Sequence, residues 1–133
     1  MPALVPELSV ADIAASRHFY CDLVGFIVRY ERPEEGFAYL ALGEAELMLD
    51  QSGIGRDWVT GPLEHPRGRG VNFQIQVENL SPILARLSAA GVGLFTPLET
   101  KSYVTASGQV HQQQFCVQDP DGYLLRFFEP MAE

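Results

Sequence analysis

The stretch DPDGYLLRFFEP, Asp119 to Pro130, decides the fold, because it joins a tight turn to a strand. Its first four residues are typical of a turn, and the rest are typical of a strand in a buried sheet. Midway along this strand stands Arg126, a permanent cation flanked by a leucine and a phenylalanine. A lone buried charge is very costly, so we expect Arg126 to pair with a carboxylate such as Glu7 or Glu46.

Length and composition indicate one soluble domain. A chain of 133 residues can bury a core without disulfides, and its two cysteines, Cys21 and Cys116, are expected to be free thiols. The net charge of −8 would repel the phosphates of nucleic acid and of anionic membranes, so neither is an expected partner. The same negative net charge can attract a cationic small molecule, although a charge of this size also favours solubility. No apolar run approaches the roughly 20 residues of a membrane span, and we expect a cytoplasmic protein.

Turn and cap signals organise the first part of the chain. A loosely alternating run at 3–10 is followed by a helix that Asp12 caps and Gly25 ends. Three strand-like runs follow, at 26–32, 37–43 and 45–51. The Gly- and Pro-rich segment 52–70 has no apolar period, and connections of this length in compact domains are commonly functional or mobile.

The remainder of the chain repeats this plan. A strand at 71–77 precedes a helix that Asn79 caps and Gly91 ends, and further strands are predicted at 92–98, about 110–117 and 123–129. The runs 8–26 and 75–93 share the order of their elements at a spacing of 67 residues. We therefore predict a single α+β domain of two βαβββ modules, which form a curved mixed-sheet trough with the helices outside. Module one covers about 1–52, the linker about 53–69 and module two about 70–133.

Three motifs resemble the vicinal oxygen chelate superfamily of glyoxalases, ring-cleaving dioxygenases, fosfomycin thiol transferases and bleomycin resistance proteins. They are VPELSVADIAASRHFYCDLVGF at 5–26, VNFQIQVENL at 71–80 and FCVQDPDGYLLRFFEP at 115–130. The resemblance covers nearly the whole chain and is specific for the fold. It says little about the reaction, since one fold hosts many chemistries.

The resemblance implies metal ligands on the inner strands of each module in the metal-dependent members. The corresponding positions here are Val5, Gly70 and Arg126, and none of these side chains has a lone pair to donate. A register shift of one residue offers no ligand either. The carboxylates of Glu7, Glu46 and Asp50 can in principle hold a hard cation, but no histidine accompanies them, and a wet trough ringed by carboxylates is the preferred interpretation. We expect no metal, no cofactor and no catalytic residue.

Strand parity places polar and aromatic side chains on the inner face of the trough. Amides such as that of Gln114 both donate and accept hydrogen bonds, which suits a ligand rich in heteroatoms. Trp58 and Tyr103 are expected on loops, as stacking planes over the trough mouth, although ordinary packing explains each aromatic equally well. The predicted ligand-binding residues are Glu7, Tyr39, Glu46, Met48, Asp50, Trp58, Asn72, Gln74, Tyr103, Gln114, Arg126 and Phe128.

These features are most similar to the bleomycin resistance branch of the superfamily. That similarity implies a homodimer in which both chains build each crevice, and a small-molecule ligand, cationic or aromatic and possibly bleomycin-like, that is sequestered as a form of antibiotic resistance. One alternative is a metal-dependent glyoxalase-like lyase or ring-cleaving dioxygenase with a nonstandard ion site. Another is a structural dimer with a vestigial trough. No two of the three histidines share a helix face or hairpin, so a histidine base beside a nucleophile is not expected.

Overall fold

Two four-stranded mixed sheets build the structure, a computed structural model that describes residues 2–131. The first sheet contains β1 (Glu7–Val10), β2 (Ile27–Arg32), β3 (Phe37–Leu42) and β4 (Ala45–Gln51), in the order β1-β4-β3-β2. The second contains β5 (Asn72–Gln76), β6 (Thr96–Thr105), β7 (Gly108–Gln118) and β8 (Leu124–Pro130), in the order β5-β8-β7-β6. The predicted α+β class and the βαβββ order of each half are confirmed.

Each sheet is accompanied by one helix. The first, α1 (Ile13–Arg17), continues in π-helical form over His18–Val24, and the second is α2 (Ser81–Ala89). Pro33–Glu35 form a short 3₁₀ turn between β2 and β3. Within residues 2–131 none of these helices has the length and apolar character that crossing a membrane requires.

The strand predicted at 92–98 has the wrong start, because β6 begins only at Thr96. Val92 instead donates its backbone N–H to the Leu87 carbonyl at 2.9 Å and so closes the end of α2. The strand then runs on to Thr105 and pairs with β7 along a long hairpin. The first strand is also shorter than the predicted 3–10 run, since its ladder with β4 starts at Glu7.

Alternation along the strands sends one side of each sheet into a single hydrophobic core. The strand residues of this core are Leu8, Val10, Ala38, Leu40, Leu47, Leu49, Ile75, Phe115, Val117, Leu125 and Phe127. The helices contribute Phe19, Tyr20, Val24, Ile83 and Leu87 to the same cluster. Fully burying one such side chain stabilises a fold by roughly 1.5–3 kcal/mol, so this shared core holds the two modules together.

The first helix is held at both ends by polar contacts. The Asp12 carboxylate accepts hydrogen bonds from the backbone N–H groups of Ala14 at 3.0 Å and Ala15 at 3.4 Å, as a helix N-cap does. At the other end Gly25 takes a left-handed conformation with φ of 112°, and Arg86 of α2 donates to the carbonyls of Leu23 and Val24. The second module therefore caps the helix of the first.

The DPDG turn before β8 is a second joint between the modules. Asp119 is buried, and its Oδ2 accepts a hydrogen bond of 2.7 Å from the Tyr20 hydroxyl of the first helix. Its Oδ1 accepts from the backbone N–H groups of Asp121 and Tyr123, both at 2.9 Å. The Asp121 carboxylate in turn accepts from the backbone N–H of Ala11, directly after β1, at 3.0 Å.

Gly122 is required in this turn for two reasons. Its φ of 97° lies in the left-handed region, and a Cβ there would come within 2.5 Å of the Cα of Pro66. The loop before β5 can therefore lie directly on the turn.

Replacing Tyr20 by Phe is expected to lower the free energy of unfolding by about 1–3 kcal/mol, because a buried carboxylate loses a donor. Burial raises the pKa of Asp119 above its ordinary 3.8, while the Tyr20 hydrogen bond lowers it, so Y20F raises it further. The destabilisation should be largest at neutral pH, where Asp119 is ionised, and should shrink as the pH falls through these raised pKa values.

Urea unfolding at neutral pH and at about pH 4 measures this difference. The matched control is Y103F, which removes a hydroxyl that donates only to the neutral amide of Gln114. Equal losses for both variants at both pH values would contradict the assigned role of Asp119.

Candidate functional site

The sides of the two sheets that face away from the core carry most of the residues predicted to bind a ligand. Glu7, Met48 and Tyr39 lie opposite one another across β1, β4 and β3. The row Gln74, Arg126 and Cys116 crosses β5, β8 and β7 in the same way. The sheet-one face comprises Glu7, Tyr30, Phe37, Tyr39, Glu46, Met48 and Asp50. The sheet-two face comprises Asn72, Gln74, Gln112, Gln114, Cys116, Arg126 and Phe128.

The expected pairing of Arg126 with Glu7 or Glu46 is wrong within one chain. Glu46 instead lies 3.6 Å from the guanidinium Nε of Arg29 on the neighbouring part of its own sheet. Among residues 2–131, Arg126 forms no ion pair, and its buried Nε has no hydrogen-bond acceptor. The physical reason is that no strand ladder joins the two sheets, so the carboxylates and the guanidinium stand on separate faces.

An acidic, aromatic pocket opens on the sheet-one face. Its volume is about 120 Å³, and its walls are Glu7, Arg32, Glu35, Phe37, Asp50, Gly55, Arg56 and Trp58. The guanidinium of Arg32 lies 4.0 Å from the ring centre of Phe37 and is bonded to Glu35. The guanidinium of Arg56 lies 4.2 Å from the ring centre of Trp58. Trp58 lies on the loop after β4, as predicted, and is exposed at the rim.

Two carboxylates of this pocket, those of Glu7 and Asp50, have pKa values above their ordinary ones. Burial raises the pKa of Glu7 above its ordinary 4.5, and the negative charge of Asp50 raises it further. Burial also raises the pKa of Asp50, and the charges of Asp57 and Glu35 add to that effect. Arg32 lowers both values without cancelling the increase. Counted over its walls, the pocket has three carboxylates against the two guanidinium groups of Arg32 and Arg56.

Aromatic rings and Met48 cover the middle of the sheet-one face. Tyr30 stacks on Tyr39 with ring centres 5.0 Å apart and an angle of 16° between the rings. Tyr39 is almost fully buried, and its hydroxyl has no hydrogen-bond partner of normal geometry among the described residues. Burial raises the pKa of Tyr39, and the nearby Glu46 carboxylate raises it further. The stack forms a flat apolar floor beside the carboxylates.

The sheet-two face carries a network of amides. The Gln114 Oε1 accepts from the Tyr103 hydroxyl and from Gln112 Nε2, both at 3.0 Å, and Gln114 Nε2 donates to Glu99 at 2.9 Å. Tyr103 lies inside β6 and not on a loop as predicted, because β6 extends further than its apolar pattern indicated. Gln114 is thus already hydrogen-bonded within the chain.

A larger pocket of about 340 Å³ lies at the end of the sheet-two face. Asn72, Gln118 and Leu124 line it from the sheet, and Phe95 and the loop 66–71 close it from the sides. Phe128 and Arg126 stand further along the same face and are both half-buried. The twelve predicted site residues therefore fall into two groups on different sheets, joined by no side-chain hydrogen bond or ion pair among residues 2–131.

The residues at the positions where the resemblance implies metal ligands do not fit a metal ion. Val5 and Gly70 offer no donor atom, and Arg126 brings a positive charge to the third position. Within residues 2–131 no three His, Cys, Asp or Glu side chains are grouped so that they could hold an ion.

One histidine does contact a hydroxyl nucleophile, contrary to the sequence-based expectation. His111 Nδ1 lies 2.6 Å from Ser102 Oγ across the β6–β7 hairpin. The contact is solvent-exposed, and no carboxylate bonds to the other ring nitrogen in the described part of the chain. A catalytic serine needs a base that a third group orients, so this contact has the features of a surface hydrogen bond.

The sequence analysis missed several residues of the two faces, namely Tyr30, Arg32, Phe37, Arg56 and Glu99. Tyr30 and Arg32 alternate along β2, and Phe37 has the parity of Tyr39, so the period of two contained this information. Arg56 and Glu99 gave no such signal, since their positions depend on the loop after β4 and on the register of β6.

The geometry can be compared with known proteins. A sequence profile of the Glyoxalase/Bleomycin resistance protein/Dioxygenase superfamily matches residues 4–127. A bleomycin resistance protein of Geobacillus stearothermophilus is 27% identical over 134 aligned positions, which cover 94% of each chain. A solved superfamily member from Vibrio splendidus 12B01 is 43% identical over 96% of this chain and 97% of that chain, with a TM-score of 0.43. TioX from Micromonospora sp. ML1 is 22% identical over 99% of this chain and 98% of that chain, with a TM-score of 0.69. The profile spans most of the sequence, and the chain therefore belongs to the glyoxalase/bleomycin resistance protein/dioxygenase superfamily.

Proposed function

We propose that this protein is a metal-independent binding protein of the bleomycin resistance type. It sequesters a cationic or aromatic small molecule in a crevice that two copies of the chain build together. The observation that carries this proposal is the sheet-one pocket, in which Glu7 and Asp50 lie beside the rings of Phe37 and Trp58. The 27% identity to a bleomycin resistance protein over nearly the full length of both chains supports the same class of function.

The pocket suits a flat organic cation. Aromatic faces attract cations, and here both rings already carry guanidinium groups of the chain itself, Arg32 on Phe37 and Arg56 on Trp58. Arg56 belongs to the loop between the modules, where it is exposed, so a ligand cation can replace it on Trp58. Nearby carboxylates with raised pKa values gain most from such a cation, since it restores their charged form.

A second copy of the chain is needed to enclose the ligand. The pocket on the sheet-one face measures only about 120 Å³, whereas drug-sized ligands occupy sites of roughly 300–1,000 Å³. The amides and Arg126 that suit a heteroatom-rich ligand lie on the sheet-two face, away from this pocket. Placing the sheet-two face of one copy against the sheet-one face of another would bring the amides and Arg126 of one copy and the acidic aromatic pocket of the other into one crevice.

Isothermal titration with copper-loaded bleomycin tests the proposed function, and binding at micromolar concentrations is the expected result. E7Q and D50N should each weaken binding by roughly fivefold, because a partly exposed ion pair contributes about 1 kcal/mol. E44Q is the matched control, since it removes one negative charge at the exposed turn before β4. No heat with the native protein, or an equal effect of all three variants, would contradict a cation site at this pocket.

The affinity for the cation should depend on pH. Glu7 and Asp50 must be ionised to attract it, and their pKa values lie above 4.5 and 3.8 respectively. Binding should therefore strengthen as the pH rises through these raised values and level off once both groups are charged. Titrations from about pH 4 to pH 8 measure this, and D50N should flatten the rise. A constant affinity over this range would argue against carboxylate recognition.

Binding should also be independent of divalent metal ions supplied to the protein. We expect the melting temperature to be unchanged by an excess of Zn²⁺, Mn²⁺ or Ni²⁺, because Val5, Gly70 and Arg126 provide no ligands. Thermal-shift measurements with and without chelator test this. Stoichiometric metal in the purified protein, together with a clear stabilisation, would instead favour the metal-dependent lyase or dioxygenase.

A further inference from the structure

Arg126 holds a positive charge at the centre of the sheet-two face without an anion beside it. Its neighbours across the sheet are Gln74 and Cys116, and the adjoining positions Gln114 and Phe128 are also uncharged. No ion pair involves Arg126 in residues 2–131, and its Nε is buried without an acceptor. Such a guanidinium is costly to bury, so an anion from outside the chain's own fold is expected to cover it.

The sheet-one face has the complementary imbalance. Burial and the nearby charge of Asp50 raise the pKa of Glu7, and the nearby cation Arg32 is already bonded to Glu35. Glu46 already has a counter-charge within the chain, because the Nε of Arg29 lies 3.6 Å from its Oε1. Glu7 stands in the central row of the sheet, directly opposite Met48. Glu7 is exposed and forms no ion pair among residues 2–131, so its carboxylate is available to a cation from outside the chain.

The internal repeat places these two groups at matching positions. At the spacing of 67 residues Leu8 corresponds to Ile75, and so Glu7 corresponds to Gln74. The strand ladders agree, because Met48 lies opposite Glu7 and Arg126 lies opposite Gln74. When a sheet-one face meets a sheet-two face about an approximate twofold axis, the two central rows lie against each other. Arg126 then stands over Met48 and within reach of Glu7.

We propose that Arg126 of one copy forms an ion pair with Glu7 of a second copy. This inference rests on the proposed two-copy crevice and names the side chain that each copy contributes to its closure. Twofold symmetry makes the pair occur twice in each dimer, so its effect on association is doubled. A free anion is a weaker candidate for Arg126, because the net charge of −8 repels anions from the whole surface.

The ion pair also limits which carboxylate of the pocket a cationic ligand can contact. A cation that enters the crevice competes with Arg126 for Glu7, whereas Asp50, two residues along the same face from Met48, remains available to it. Removing the positive charge of Arg126 should therefore raise the dissociation constant of the dimer and leave the cation pocket intact.

A charge exchange tests the pair. Sedimentation analysis of the full chain should show that R126E and E7R each weaken the dimer at least about tenfold, and that the double variant R126E/E7R recovers most of this loss. R17E is the matched control, because Arg17 is an exposed cation paired with Glu31 on the helix side of the first sheet. It should leave the dimer constant within about twofold.

If charge reversal prevents folding, the neutral variants R126Q and E7Q provide the same test. Their separate effects on the dimer constant should not add, since either one alone removes the pair. Failure of the exchange to restore a dimer, or full additivity of the neutral variants, would overturn the ion pair while leaving the proposed function standing. Loss of ligand binding in R126Q with an unchanged dimer constant would also overturn it, by assigning Arg126 to the ligand. A native protein that stays monomeric at all concentrations would overturn both proposals.

Discussion

The buried carboxylate of Asp119 is the contact on which the relative position of the two modules depends. It accepts two backbone N–H groups of its own turn, which shapes the start of β8, and one hydroxyl from Tyr20 in the first helix. A charged group at this depth is tolerated because each oxygen has a donor. The same turn receives the loop before β5 at Gly122, so the end of one module and the start of the other are fixed together.

The two sheets held by this joint present different polar faces. One face has carboxylates and aromatic rings with more negative than positive charge, and the other has amides around one unpaired guanidinium. Neither face satisfies its own charges within the described residues, although the core behind them is well packed. The buried Nε of Arg126 has no acceptor among the described residues, and a buried donor without an acceptor is costly because its desolvation is not offset. The simplest arrangement that offsets both is a contact between unlike faces of two copies.

At the positions where the resemblance implies metal ligands this chain carries an alkyl group, a hydrogen and a guanidinium. Val5 and Gly70 lie before the first residues of β1 and β5, and Arg126 lies in the central row of the second sheet. The proposed recognition therefore uses weaker and less directional interactions, namely stacking on Phe37 and Trp58 and attraction to the carboxylates of Glu7 and Asp50.

The sequence by itself determined the class of fold, the cap of the first helix at Asp12 and the side of the sheet on which most strand residues lie. These properties are local, since a period of two and a capping carboxylate at Asp12 act within a few residues. The predicted cap of the second helix was one residue off, because Leu80 is its N-cap and the Asn79 Oδ1 accepts from the backbone N–H of Ser81. The start of β6, the strand position of Tyr103 and the partner of Glu46 were decided by the tertiary structure. Each depends on a contact between separate segments, such as the pairing of Thr96 with Cys116 of β7 or the approach of Arg29 to Glu46. The isolation of Arg126 is also a tertiary property, because pattern alone assigns a residue to a face of its own sheet but cannot show which other sheet that face meets.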